Sequence, residues 1–185
     1  MLKLAIAALT LIMTVEAHAV VVTPTIEENL CFDGANWSAM CGESGGSGVR
    51  VSASLSIQSA DVGLPGAVGV VAYMNGQGYM LNNSGSWIKY TGTPTEYKYY
   101  DTMPSIITLP KIYEGEKCSY QDVEIYVGYG VLSSVEVEKI DKYHKQKNPK
   151  ISREHLVGLY TYLNGERNNK FGLVYSNTNQ CSSGG

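Results

Sequence analysis

The sequence predicts a mainly β, antiparallel sandwich, and three observations carry that expectation. Residues 49–58 alternate strictly, with Val49, Val51, Ala53, Leu55 and Ile57 on one face and Arg50, Ser52, Ser54, Ser56 and Gln58 on the other. Short apolar runs then recur at intervals of about eight to twelve residues, separated by Gly, Asn and Pro. Tyrosine is over-represented, with fourteen against two Phe and two Trp. Its apolar body and polar tip suit half-buried strands and contact surfaces.

The elements follow in order. Lys3, the apolar residues 4–15 and the small pair around His18, Ala17 and Ala19, form the three regions of a cleavable export signal. The apolar run is shorter than the roughly 20 residues a bilayer core requires. Cleavage is expected after Ala19. That leaves 185 − 19 = 166 residues and an unchanged net charge of −3, since Lys3 and Glu16 leave together. Residues 20–25 are β-branched, a first strand or a loose arm. Residues 27–48 read as an irregular disulfide loop closing on the Gly-rich linker 42–48, so 20–48 is an arm before the sandwich proper, 49–176. In the sandwich, 61–66 is a turn, 67–74 a nearly continuous apolar strand, and Asn75-Gly76-Gln77-Gly78 a hairpin turn leading into 79–81. A turn over 82–86 precedes the short strand 87–90. Residues 91–104 form a Tyr-rich loop holding Pro94 and Pro104, with strands at 105–109 and 123–129 beyond it.

A short helical, charged insertion, 133–169, interrupts this pattern before the last strands. Ser133 and Glu136 offer a capping pattern, and Val135, Ile140 and Tyr143 fall at helical spacing. Five Lys lie between 139 and 150, and Pro149 stops the helix. Residues 152–155 either start a second short helix or lead straight into a strand over 156–163. Residues 171–175 are the last strand, and 177–185 a disordered tail.

Four cysteines lie in the exported part: Cys31, Cys41, Cys118 and Cys181. An even count in an oxidising compartment predicts two disulfides with three possible pairings, of which Cys31–Cys41 and Cys118–Cys181 are favoured. The longer loop would stabilise by about 4 kcal/mol in the chain-entropy model. No Cys-x-x-Cys pair and no His beside a Cys supports zinc instead.

Several stretches together resemble an uncharacterised module of secreted and surface proteins of Gram-negative bacteria, found near pilus or adhesin components. They are 60–66 (Ala-Asp-Val-Gly-Leu-Pro-Gly), 85–90 (Gly-Ser-Trp-Ile-Lys-Tyr), 126–130 (Tyr-Val-Gly-Tyr-Gly) and 170–175 (Lys-Phe-Gly-Leu-Val-Tyr). The long charged segment 133–169 replaces that module's short link, and the disulfide loop at the front is particular to this chain. The resemblance implies an immunoglobulin-like sandwich and a structural or adhesive role outside the cytoplasm. It implies no catalytic residue.

The residues themselves offer little chemistry. Cys41-Gly42-Glu43-Ser44-Gly45-Gly46 is similar to the segment around a trypsin-like nucleophile, but the only upstream His is His18, inside the export signal. A linker is expected there. His144 and His155, eleven apart across Pro149, fit no zinc spacing. Asp61, Asp101 and Asp122 sit in no calcium-loop pattern. No basic stripe favours nucleic acid. The expectation is a secreted or periplasmic, non-enzymatic module without cofactor or membrane anchor, binding a partner protein of the envelope or of a pilus-like surface assembly. Tyr97, Tyr99 and Tyr100 are its candidate contact residues, and Trp87 is expected to point inward. A carbohydrate-binding module using the same tyrosines is the alternative, and a hydrolase built on Ser44 or His155 is less favoured.

Overall fold

The apolar run predicted at 67–74 is central to the fold because both of its faces are covered. In a computed structural model the described residues are 20–32, 36–38, 47–91, 94, 98–118, 122–147 and 152–177. Their elements are β1 (Val21–Phe32), β2 (Trp37–Ser38), β3 (Gly48–Ser56), β4 (Gly66–Met74), β5 (Gln77–Leu81), β6 (Trp87–Lys89), β7 (Lys98–Tyr100), β8 (Ile106–Glu116), β9 (Glu124–Val131), α1 (Ser134–Lys147), α2 (Arg153–Arg167) and β10 (Phe171–Ser176). All strand pairs are antiparallel and form two sheets, ordered β2-β1-β3-β8 and β10-β9-β4-β5-β6. β9 pairs with β4 along Gly66–Tyr73, so β5 and β7 share the other edge of β4, at Val71–Met74 and Gly66–Val68 respectively.

One core cluster draws on both sheets. β3 supplies Val49, Val51, Ala53 and Leu55, β8 Ile107, Leu109 and Ile112, β4 Val68, Val70 and Ala72, and β9 Ile125, Val127 and Tyr129. Each fully buried aliphatic side chain contributes on the order of 1.5–3 kcal/mol. The alternation Val127-Gly128-Tyr129-Gly130 puts bulk on the core face and none on the other. There α2 meets the sheet backbone to backbone: a Cβ on Gly130 would stand 1.6 Å from the Thr161 carbonyl oxygen, and one on Gly165 2.4 Å from that of Tyr129. Leu156 and Val157 of α2 join Leu132 and Ile140 in a second small cluster.

Local signals act where they were expected. Asn75 and Gly76 both take positive φ, 50° and 73°, the geometry of a two-residue hairpin turn, with Gln77 and Gly78 already in β5. Ser133 and Glu136 form a reciprocal capping box: the Ser133 amide and hydroxyl both donate to the Glu136 carboxylate at 2.8 Å, and the Glu136 amide donates back at 3.3 Å.

Four expectations change. β1 is a strand through Phe32, so part of the expected disulfide loop, residues 27–32, pairs with β3 and β2 instead. Its side chains are mostly exposed on both faces, which leaves no apolar alternation to read. Residues 156–163 are helical, not a strand: Ser152 caps α2 by accepting from the His155 amide, and Leu156, Val157, Thr161 and Gly165 gather on one helical face. β8 runs seven residues beyond 109 because a register irregularity at Pro110–Ile112 masks its continuation. Asn177 is buried rather than part of a loose tail: it receives the Val123 amide at 2.6 Å and donates to the Lys117 carbonyl at 3.0 Å.

Cys31 and Cys118 are each disulfide-bonded. Cys41 and Cys181 lie outside the described residues, as do residues 1–19, Ser44 and the expected tail 178–185. Among the described residues, no helix is long and apolar enough to cross a membrane.

Candidate interaction face

α2 covers only part of the outer face of the six-stranded sheet. Beyond it the strand registers align one row of side chains across five strands: Leu173 opposite Tyr126, Tyr126 opposite Val71, Val71 opposite Met80, and Met80 opposite Ile88. Val71 and Met80 are buried at its middle, whereas Leu173 and Ile88 at its ends are 49% and 47% exposed. In the next row Tyr73 lies opposite Gly78, and the Tyr90 amide donates to the Gly78 carbonyl. Gly78 lies between the two tyrosines: its Cβ position is 3.6 Å from the Tyr90 Cβ and 3.8 Å from the Tyr73 ring.

The rings hold one another in place. Tyr73 and Tyr126 meet edge to face at 6.2 Å, and Tyr162 of α2 meets Phe171 of β10 at 5.5 Å. Phe171 in turn lies over Gly69 and Gly128; a Cβ at Gly128 would stand 2.4 Å from its ring, so only glycine leaves room there. Burial pushes the Tyr162 hydroxyl up to about 12, with the nearby Glu166, Tyr73 and Tyr90 adding to it. Burial also raises Tyr126, together with its hydrogen bond to Glu124. Both hydroxyls therefore remain protonated donors near neutral pH. The face combines apolar rings with polar tips and is partly open to solvent, a composition typical of contact surfaces.

The tyrosines singled out in the sequence lie elsewhere. Tyr97 lies outside the described residues. Tyr99 and Tyr100 belong to β7 and pair with Ala67 and Gly66 of β4. Both are half-buried: Tyr99 packs on the Leu132–Val157 cluster, while Tyr100 packs on the main core. Burial raises the Tyr99 hydroxyl, with Asp101 adding to it. These two rings anchor β7 and the helices rather than forming an open patch. Trp87 faces the core side with Leu81, as expected, but is only half-buried because β6 ends its sheet.

The buried charges form a closed set. Asp61, considered above for calcium, accepts from Lys170 Nζ at 2.5 Å and from the Tyr129 hydroxyl at 2.7 Å, and that hydroxyl accepts from the Gln58 amide at 3.0 Å. Lys170 Nζ also sits 5.1 Å from the Tyr129 ring centroid. Burial first, then the bond to Asp61, pushes the Tyr129 hydroxyl far above its usual range. The three groups satisfy one another and tie residues 58–64 to β9 and to the start of β10. Asp61 and Lys170 border a polar cleft of about 880 Å³ shared with Glu136, Asn164 and Arg167. Among the described residues, no three His, Cys, Asp or Glu gather as a metal site would require.

No protein-family model, curated protein or solved structure matches this chain.

Proposed function

We propose that the chain is exported through its cleavable N-terminal segment and acts outside the cytoplasm as a non-enzymatic interaction module. Its tyrosine face would bind a partner protein of the envelope or of a pilus-like surface assembly. One observation carries the reading: the row from Leu173 to Ile88, with Tyr73, Tyr90, Tyr126 and Tyr162 beside it, is a large, partly exposed aromatic surface. Mutual satisfaction of Asp61, Tyr129 and Lys170 supports a binding rather than a catalytic role. The resemblance to an immunoglobulin-like surface module, the pairing Cys31–Cys41 with Cys118–Cys181, and the absence of any cofactor belong to the same proposal.

Site-specific photo-crosslinking tests it in cells that produce the protein. A crosslinker at Ile88 is expected to trap a discrete protein adduct, one at the exposed Thr108 of β8 is not, and Tyr73→Ala with Tyr90→Ala should abolish the Ile88 adduct. Equal adducts from both positions, or none from Ile88, would refute the face as the contact.

A further inference from the structure

The polar cleft of about 880 Å³ is within the usual range for small-molecule sites. Residues 58–64, the cap of α1 and the last turn of α2 border it. Asp61 is only 8% exposed, and its bonds from Tyr129 and Lys170 both end on Oδ2. Among the described residues Oδ1 receives no hydrogen bond, and it opens on the cleft rather than being sealed in the core. A carboxylate oxygen this deep requires a donor, and one can reach it only from the cleft. Asn164 adds a second acceptor. It spends both amide protons, on the Val131 carbonyl at 3.0 Å and on Glu136 at 3.1 Å, and its own side-chain oxygen stays unbonded among the described residues. At the rim Arg167 is exposed, and no carboxylate engages its guanidinium among the described residues.

These groups restrict what the cleft can take. Asp61 and Glu136 bring two negative charges against one positive charge from Lys170, and Arg167 offsets the excess at the rim. A ligand with a single charge is matched at one end and opposed at the other, whereas one with separated charges gains at both. No aromatic ring lines the cleft among the described residues, so sugars and nucleobases gain no stacking. Apolar lining is confined to Ala60, Leu64 and Val131, which leaves little for a large apolar side chain, while Asn168 and Asn169 offer amides to a peptide backbone. The volume suits a few residues rather than one amino acid. We propose that this cleft binds a short peptide of small residues as a zwitterion, its terminal ammonium held by Asp61 Oδ1 and the Asn164 oxygen and its carboxylate by Arg167. None of these groups belongs to the tyrosine face.

Calorimetric titration of the full chain, purified after export, with alanine, dialanine, trialanine and tetraalanine tests the proposal. At least one peptide is expected to give saturable binding, and free alanine none. N-acetylated and C-amidated forms of that peptide isolate its two ends. Each should bind at least about ten-fold more weakly, the loss of one charge-assisted contact. Arg167→Ala should weaken the unmodified peptide to the same degree and leave the amidated one unchanged. Asp61→Ala with Lys170→Met should abolish binding. If that double variant fails to fold, the two blocked peptides and Arg167→Ala carry the test. The proposal fails if no peptide saturates, if free alanine binds as tightly, if either blocked form keeps its affinity, or if binding survives Arg167→Ala or the folded double variant undiminished.

Discussion

Asp61→Ala is the most informative perturbation of the fold. The carboxylate accepts from both Lys170 and Tyr129, and Lys170 is only 7% exposed. Removing it leaves a buried ammonium over the Tyr129 ring without its carboxylate partner, and takes from the Tyr129 hydroxyl its acceptor. Breaking one side of a buried pair costs about 3–5 kcal/mol, chiefly through the stranded charge. For a domain of this size that is a fall of about 6–20 °C in melting temperature. Tyr129→Phe should cost less, about 1–3 kcal/mol, because it removes a neutral partner and orphans the Gln58 amide. Replacing both charges, Asp61→Ala with Lys170→Met, should recover most of the loss, since no unpaired charge remains. Urea unfolding of the oxidised protein followed by circular dichroism measures all three. An Asp61→Ala variant within about 1 kcal/mol of wild type, or a double variant no more stable than the single, would refute the lock.

Other outcomes follow from particular contacts. Gly130→Ala drives a methyl into the Thr161 carbonyl and should cost at least about 3 kcal/mol, the upper end of overpacking; a melt near wild type would show that α2 shifts freely. Burial alone would raise the Glu136 carboxyl, but hydrogen bonds from Ser133 and Asn164 outweigh it and hold the group below the usual carboxylate range. Its stabilising effect is therefore present above the ordinary value of about 4.3 and is lost as pH falls from there through the lowered folded value. Glu136→Gln should flatten the acid limb of a pH series of thermal melts over that window. Intact mass after export should lack residues 1–19 and the four hydrogens of two disulfides, and peptide mapping should return Cys31–Cys41 and Cys118–Cys181; a Cys31–Cys181 peptide would refute that pairing.

What could be read in advance was local. β3 declares itself because Val49, Val51, Ala53 and Leu55 alternate with polar residues on a half-buried sheet, and Asn75-Gly76 and Ser133–Glu136 act within a few residues of themselves. β1 past Thr25 is held by backbone pairing with little side-chain burial, and only two of its twelve side chains, those of Leu30 and Val22, join or touch a core. The apolar residues of 156–163 suit either period until Gly165 and Thr161 are seen against the sheet. The tyrosine face was missed because it exists only through register. Tyr73, Tyr90, Tyr126 and Tyr162 come from distant parts of the chain, and no window of sequence holds two of them in contact. One signal was present: Tyr126 and Tyr73 each sit one residue from a core position, Ile125 or Val127 and Ala72 or Met74, which assigns both to the outer face.

The glycine contact between α2 and β9 bears on how the face would bind. Where backbone meets backbone there is no side chain to yield, so the helix has little room to rock against the sheet. Tyr162 from the helix and Tyr73 and Tyr126 from the strands are thereby set as one rigid array before any partner arrives. Association then surrenders little conformational entropy, because each ring brings only two torsions and a fixed support. A face built this way favours slow dissociation over adaptability, and suits a long-lived neighbour better than a succession of brief ones.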